Sequence, residues 1–173
     1  MNEDIRIRPL RREDIAALLS LARDTWYAHY PSIITAAQIE YMLGQRYRPE
    51  LIEADLGCAD RWWDVMERNG ELLAFAQYER AGDPGEIKLD KLYVKHDERG
   101  HGHGSLMLAH VENEARSKGA ERLYLQVNKN NASAIAAYRK NGFGIDRDLV
   151  VDIGGGFVMD DYVMAKALAP LPA

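Results

Sequence analysis

Only one cysteine, Cys58, stands among the 173 residues, so no internal disulfide framework is open to this chain. It lies in a Leu-Gly-Cys-Ala stretch with no histidine nearby, which argues against a nucleophile. A small buried hydrophobe is the usual role of a lone cysteine and is the expectation here. Long apolar runs are also missing: none approaches the ~18 residues that a bilayer-spanning helix requires. The first ten residues, MNEDIRIRPL, place charges where a signal peptide would need an apolar core. No membrane partner is expected, and a cytoplasmic location is the default. Basic excess is lacking too, since 22 Lys and Arg face 27 Asp and Glu for a net charge of −5. A nucleic-acid partner would leave a basic footprint, so none is expected. An acidic balance suits a cationic substrate, although many proteins are acidic for solubility alone. Linkers, repeats and low-complexity tracts are absent, and one domain over residues 1–173 is the simplest organisation.

What is present reads as an ordinary globular chain, with 47% hydrophobic and 28% charged residues. Ile5 and Ile7 alternate with Arg6 and Arg8, as in a half-buried strand. Ile15, Leu18, Leu19, Ala22 and Trp26 recur at helical spacing, with Glu13 and Asp14 in the favourable first turn. One or two short helices are expected between Thr35 and Leu56, interrupted near Gly44 and Pro49. Strands Trp62 to Glu67 and Leu72 to Tyr78 are joined by Asn69-Gly70, a strong hairpin signal. Ile87 to Lys95 forms another strand. A helix from about Ser105 to Lys118 stops at Gly119. Strand Arg122 to Asn128, helix Ala132 to Lys140 and two final strands flanking Gly154-Gly155-Gly156 follow. That triple glycine precedes a strand and reads as a turn. The order β-α-α-β-β-β-α-β-α-β-β predicts an α/β (α+β) chain with a mixed sheet and helices packed on it.

The chemistry concentrates between Leu92 and Ser105: Leu92-Tyr93-Val94-Lys95-His96-Asp97-Glu98-Arg99-Gly100-His101-Gly102-His103-Gly104-Ser105. A strand feeds a glycine-rich turn that opens a helix. Glycines allow close backbone approach, successive N–H groups point outward, and the helix N-terminus adds positive partial charge. This is an anion cradle that fits a pyrophosphate. The pattern G-x-x-x-x-G-K-[ST] is absent, and G-x-G-x-x-G fails because no third glycine is in place. The strand after the cradle ends at Asn128, with no acidic residue for a dinucleotide ribose. Nucleotide hydrolysis and NAD chemistry both lose ground. His101 and His103 invite a metal reading, with His96 and His110 near in sequence. In a glycine loop their positions face solvent, and no ligand set is complete, so no metal is expected.

The cradle resembles the pyrophosphate-binding signature [RQ]-x-x-G-x-[GA] of the GNAT acetyltransferase superfamily, with Arg99, Gly102 and Gly104 on its fixed positions. Downstream, Asn131, Ala134, Tyr138, Gly142 and Phe143 are similar to the family's N-x-x-A-x-x-x-Y-x-x-x-G-F element. Together the two motifs cover roughly Leu89 to Phe143. The resemblance implies the GNAT fold: a central mixed, mostly antiparallel sheet flanked by helices, with splayed fourth and fifth strands. It implies acetyl-CoA as acyl donor and N-acetyl transfer to a primary amine. Leu92, Tyr93, Val94, Arg99, Gly100, His101, Gly102, His103, Gly104, Ser105, Asn131, Ala134 and Tyr138 are the cofactor-binding candidates. An N–H of Val94 or a neighbour would polarise the thioester carbonyl, and Asn131 would bind the pantetheine arm. Tyr138 would protonate the coenzyme A sulfur; a phenol with pKa about 10 keeps its proton at neutral pH, while a thiol near 8.5 leaves more readily.

Each role has a plainer rival. Without the surrounding motif Tyr138 would read as a core aromatic next to Ile135, and Asn131 also reads as a helix N-cap, a role compatible with cofactor contact. Asp90 lies four residues before Val94 on the same strand face and could accept the amine proton, directly or through water. It also reads as a strand carboxylate paired with Lys88 or Lys91. In the first third, Trp26, Tyr27, His29, Tyr30 and Tyr41 with nearby carboxylates would suit a cationic amine, although such aromatics more often pack in cores. The tail Asp160-Asp161-Tyr162-Val163-Met164 and Tyr30-Pro31 faintly resemble the bacterial polyamine acetyltransferase branch. A polyamine or other small cationic amine is therefore the expected acceptor. A peptide or protein amine, or a non-catalytic acyl-CoA-binding module, are the alternatives. C-terminal strands often mediate pairing in the family, which makes a homodimer a further expectation of the resemblance.

Overall fold

The computed structural model describes residues 4–172. The first three residues of the charged N-terminus and Ala173 lie outside the described residues. The elements in chain order are β1 (Ile5–Pro9), α1 (Ile15–His29), α2 (Ala36–Arg46), α3 (Pro49–Leu56), β2 (Arg61–Arg68), β3 (Glu71–Arg80), β4 (Glu86–Val94), α4 (His103–Ser117), β5 (Arg122–Asn128), α5 (Ala132–Lys140), β6 (Gly144–Gly154) and β7 (Phe157–Ala167). Helices flank a seven-stranded sheet ordered β1-β2-β3-β4-β5-β7-β6. Antiparallel pairing joins β1 to β2, β5 to β7 and β7 to β6, while β4 and β5 run parallel. A parallel pair needs a long crossover, and α4 supplies it.

Two compact units make up the chain: one runs to Tyr78 and takes in Lys91–His110, the other holds Glu79–Asp90 and continues from Val111. In the first, α1 buries Ile15, Leu18, Ala22 and Trp26, the face its periodicity marks. Val65, Met66, Leu73 and Phe75 of β2 and β3 are also buried, each such side chain contributing roughly 1.5–3 kcal/mol. Asn69 and Gly70 both have positive φ, 52° and 83°, as the tight turn between β2 and β3 requires. In the second unit, Ile87 and Leu89 of β4 face the register partners Leu123 and Leu125 of β5, all four buried. Registered β4–β5 pairs stop at Leu89↔Leu125, although β4 runs on to Val94 and β5 to Asn128. This is the expected splay.

Several expectations need correction. Gly44 does not interrupt a helix: α2 passes through it to Arg46. A glycine costs a helix interior only about 1 kcal/mol against alanine, and Ile39, Met42 and Leu43 bury the face that offsets it. The break falls at Tyr47 and Arg48, because proline disfavours helix in the residue before it and itself opens α3. The stretch from Thr35 to Leu56 thus holds two helices, the larger of the two numbers expected. α4 begins at His103, two residues before the expected start. Cys58 is exposed, since it sits just past the end of α3 instead of on a packed face.

Candidate active site

β4 delivers the cradle. Beyond Val94 the Lys95 amide donates to Leu73 O at 2.8 Å, which fixes the strand end and commits that amide. A 3-10 turn over His96–Glu98 follows, then Arg99 in extended conformation. Gly100 and Gly102 adopt φ of 79° and 82°, a region that costs other residues roughly 1–2 kcal/mol. A Cβ at either glycine would meet nothing within 4 Å. The glycines are thus required by backbone angle, and the space before them is open. At Gly104 the same test finds Val94 Cγ2 at 3.7 Å, an ordinary packing contact of α4 on the strand end. Within α4 the first backbone bond runs from Leu106 N to Gly102 O at 3.0 Å. Helix geometry gives the preceding amides, including those of His103 and Gly104, no acceptor inside the helix.

Charged groups brace this turn. Arg68 of β2 binds both carboxylate oxygens of Glu98, one of them at 3.3 Å. His103 Nε2 meets Glu98 Oε2 at 3.1 Å, and His101 Nδ1 lies 3.3 Å from Glu98 O. The Arg68 guanidinium, and after it His103, hold the Glu98 carboxyl below the usual carboxylate range. Arg99 Nη1 reaches His29 Nδ1 of α1 at 3.0 Å. The expectation that both loop histidines face solvent holds for His101 alone. His103 is buried because its ring turns onto the Glu98 carboxylate.

The side chain of Tyr93 points away from the cradle, into a cluster of rings. Its centroid lies 5.8 Å from Trp26 and 5.6 Å from Phe75, and its hydroxyl pairs with that of Tyr30 at 3.1 Å. Burial pushes the Tyr93 phenol well above its ordinary value. A role for Tyr93 at the cofactor therefore falls to its backbone. In the same cluster the buried Lys91 ammonium lies 5.6 Å from the Tyr47 ring and 5.2 Å from the Trp63 ring. Gln77 Oε1 accepts from it at 3.4 Å. Of the aromatics considered for an acceptor wall, Trp26 is a core residue. Tyr27 instead lies under Arg23 and donates to Glu40.

The second unit carries the remaining candidates. Asn131, Ala134 and Tyr138 follow at spacings of three and four, so they share one face of α5. Asn131 occupies the N-cap position but makes no side-chain cap. Its side chain is buried, and Oδ1 takes a long 3.5 Å bond from Ser133 Oγ instead. Tyr138 is half-buried, with its ring edge-on to Phe143 at 5.8 Å. Asp90 lies 3.1 Å from Lys88 Nζ, which is the strand-pair arrangement considered above. Sequence reasoning gave no sign that Arg68 pairs with Glu98, His29 with Arg99 or Lys91 with Gln77. Their contacts join separate elements, and no spacing pattern announces them.

An α/β sheet with a splayed parallel pair, a glycine turn of left-handed backbone and an amide-rich helix start defines a class of group-transfer proteins that hold a phosphate-bearing donor. Residues 15–143 match the model of the acetyltransferase (GNAT) family, and the chain belongs to that family. It is an acyltransferase of the N-acetyltransferase kind. A spermidine N(1)-acetyltransferase from Thermoplasma acidophilum is 26% identical over 161 residues, covering 90% of this chain and 96% of the relative. The [ribosomal protein bS18]-alanine N-acetyltransferase of Escherichia coli is 35% identical over 78 residues, which cover 45% of this chain and 51% of the relative. Among solved structures, the PaiA N-acetyltransferase of Thermoplasma acidophilum in complex with coenzyme A has a TM-score of 0.82 at 24% identity. The likeness covers 95% of this chain and 99% of that one.

Proposed function

We propose that the chain transfers an acetyl group from acetyl-CoA to the primary amine of a small molecule, with polyamines the first class to assay. The observation that carries this reading is the cradle. Gly100 and Gly102 hold positive φ with open space before them, and α4 starts at His103, where the first amides have no acceptor inside the helix. Those features fit a pyrophosphate, which backbone N–H groups and a helix N-terminus bind together. When bound, acetyl-CoA supplies the activated thioester. The amides from Arg99 to Ser105 would hold its phosphates and Asn131 its pantetheine arm. The Lys95 amide is committed to Leu73, so an N–H of Val94 or of its neighbour Tyr93 would donate to the carbonyl oxygen that gains charge. Tyr138 would give its proton to the departing sulfur. The amine must lose a proton, since a free alkyl ammonium has a pKa of about 10.4. Asp90, or a water held near it, would take that proton, with Lys88 balancing the carboxylate charge.

Likeness to a spermidine acetyltransferase over most of the chain supports the polyamine class. Partial likeness to an alanine N-acetyltransferase of a ribosomal protein supports a peptide amine as the second reading. The test is thermal unfolding with acetyl-CoA, coenzyme A and NAD, followed by thiol release with spermidine, spermine and an alanine-initiated peptide. At a hundredfold excess over Kd a specific ligand stabilises by about 2.7 kcal/mol. Stabilisation by both coenzyme A species but not NAD is expected, and stabilisation by NAD alone would overturn the reading. Faster release with the peptide than with either polyamine would move the assignment to the second reading.

A further inference from the structure

We infer that Glu98 and His103 form a clasp that shapes the cradle before any phosphate enters it, with Arg68 as the positioning residue that locks the clasp to β2. This inference rests on the acetyl-CoA reading of the same loop. Glu98 and His103 stand on either side of the turn Arg99–Gly102, and their side chains meet across it at 3.1 Å. Glu98 is ionised and can only accept, so His103 donates from Nε2. The other bonds to that carboxylate come from Arg68. All three side chains are largely withdrawn from water, His103 most of all at 8% exposure, which strengthens such a chain of hydrogen bonds.

The loop has reason to need a clasp. Glycine loses more conformational freedom on ordering than any other residue, and this turn contains two. A turn left loose would have to order at the moment the ligand binds, weakening affinity; one held in place beforehand avoids that loss. The charged and titratable groups around the imidazole are Glu98 from the 3-10 turn, Arg68 from β2, and His101 and Arg99 within the loop, with His29 of α1 bonded to Arg99. Electrostatics alone makes the opposite prediction. Glu98 is a negative charge beside an anion site, so its removal should tighten phosphate binding if charge were all that mattered. On the clasp account its removal weakens binding. His103 further separates side chain from backbone, because its variants keep the cradle amide.

The experiment compares Glu98→Leu, His103→Ala and His103→Gln with the wild-type chain. Coenzyme A affinity is measured by calorimetry, steady-state kinetics give KM and kcat, and hydrogen exchange of residues 99–102 is followed without ligand. Loss of one hydrogen bond to a charged group predicts a roughly tenfold weaker Kd in His103→Ala, and Glu98→Leu, which also removes both Arg68 bonds, should weaken binding at least as much. The KM for acetyl-CoA should rise several times more than kcat falls, and exchange of the loop amides should accelerate. His103→Gln, which retains a donor of similar reach, should recover most of the affinity. Tighter binding by Glu98→Leu, or unchanged loop exchange in both disrupting variants, overturns the clasp. If the wild-type chain fails to bind coenzyme A, the acetyl-CoA reading fails with it, whereas wild-type binding with unaltered variants refutes the clasp alone.

Discussion

Replacing Gly102 with alanine isolates the backbone requirement of the cradle. The glycine holds φ of 82°, and a Cβ there would meet nothing within 4 Å. No steric clash enters, so the penalty is that of an L-residue in left-handed backbone, roughly 1–2 kcal/mol. Alanine also reduces unfolded-state entropy, which returns about 0.4–1 kcal/mol wherever the conformation is compatible. Gly144 supplies the matched control: it too has open space around a built Cβ, but its φ is not positive. Both variants gain the same unfolded-state term, so their difference reports the backbone angle alone. For a chain of this size, 1 kcal/mol moves Tm by about 2–4 °C, so Gly102→Ala should melt about 2–8 °C below Gly144→Ala. Differential scanning calorimetry reads the difference, and coenzyme A titration of the same samples should show weakened binding in Gly102→Ala only. Indistinguishable Tm values and equal coenzyme A affinity would refute the reasoning, because the loop would then tolerate a side chain where the glycine is held to be obligatory.

Three further outcomes are expected. Tyr138→Phe should keep coenzyme A affinity while kcat falls about a hundredfold, the lower range for a general acid; equal turnover would return Tyr138 to a packing role. Asp64 accepts from Tyr78 OH at 2.7 Å and lies 2.8 Å from His110 Nε2, so Asp64→Ala should cost about 3 kcal/mol in urea unfolding by removing the buried carboxylate that both groups meet. A loss within the error of a surface substitution would show that the network carries no stability. Arg8 holds the Asp14 carboxyl below its ordinary value, chiefly through their paired hydrogen bonds. A depressed carboxyl contributes stability that is present above its unfolded pKa of about 3.9 and is lost as pH falls through the lower folded value. Asp14→Asn should therefore destabilise the chain at neutral pH and flatten the acid limb of its stability profile below about pH 4. An unchanged acid limb would sink this assignment.

What was legible in the sequence is what local backbone chemistry dictates. Asn69-Gly70 takes the positive φ its turn requires, Gly119 stops α4 as expected, and Gly100 and Gly102 of the cradle have positive φ as well. The helical stripe ending at Trp26 follows from periodicity in the same way, while the splayed fourth and fifth strands were implied by the family resemblance. Failures arose where a distant partner outweighed a local preference. Gly44 was read as a break because glycine weakens a helix, but the buried face of α2 outweighs that cost, and Pro49 sets the end. Asn131 was read as a cap, yet burial turned its amide away from the helix amides. His103 was read as solvent-facing because its neighbours in the loop are glycines, but Arg68, in a different strand, fixes the carboxylate that draws it inward. Nothing in a pattern of spacings can register Arg68, since its relevance depends on β2 and the cradle meeting in space.

The same distinction explains why the donor half of the reaction reads more clearly than the acceptor half. A pyrophosphate is held by main-chain N–H groups, and main-chain geometry leaves glycines behind as its mark. An acceptor amine is selected by side chains from several elements. The rings gathered around Tyr93, for example, come from α1, the segment after α2, β2, β3 and β4, and such a grouping has no linear signature. There the faces of Tyr47 and Trp63 already attract the buried ammonium of Lys91, and Tyr27 is engaged with Arg23 and Glu40. The aromatic count in the first third of the chain therefore overstates the surface available to a cationic amine. A cation–π argument for polyamine selection must rest on ring faces other than these, and competition between spermidine and an alanine-initiated peptide measures that selection more directly than composition does.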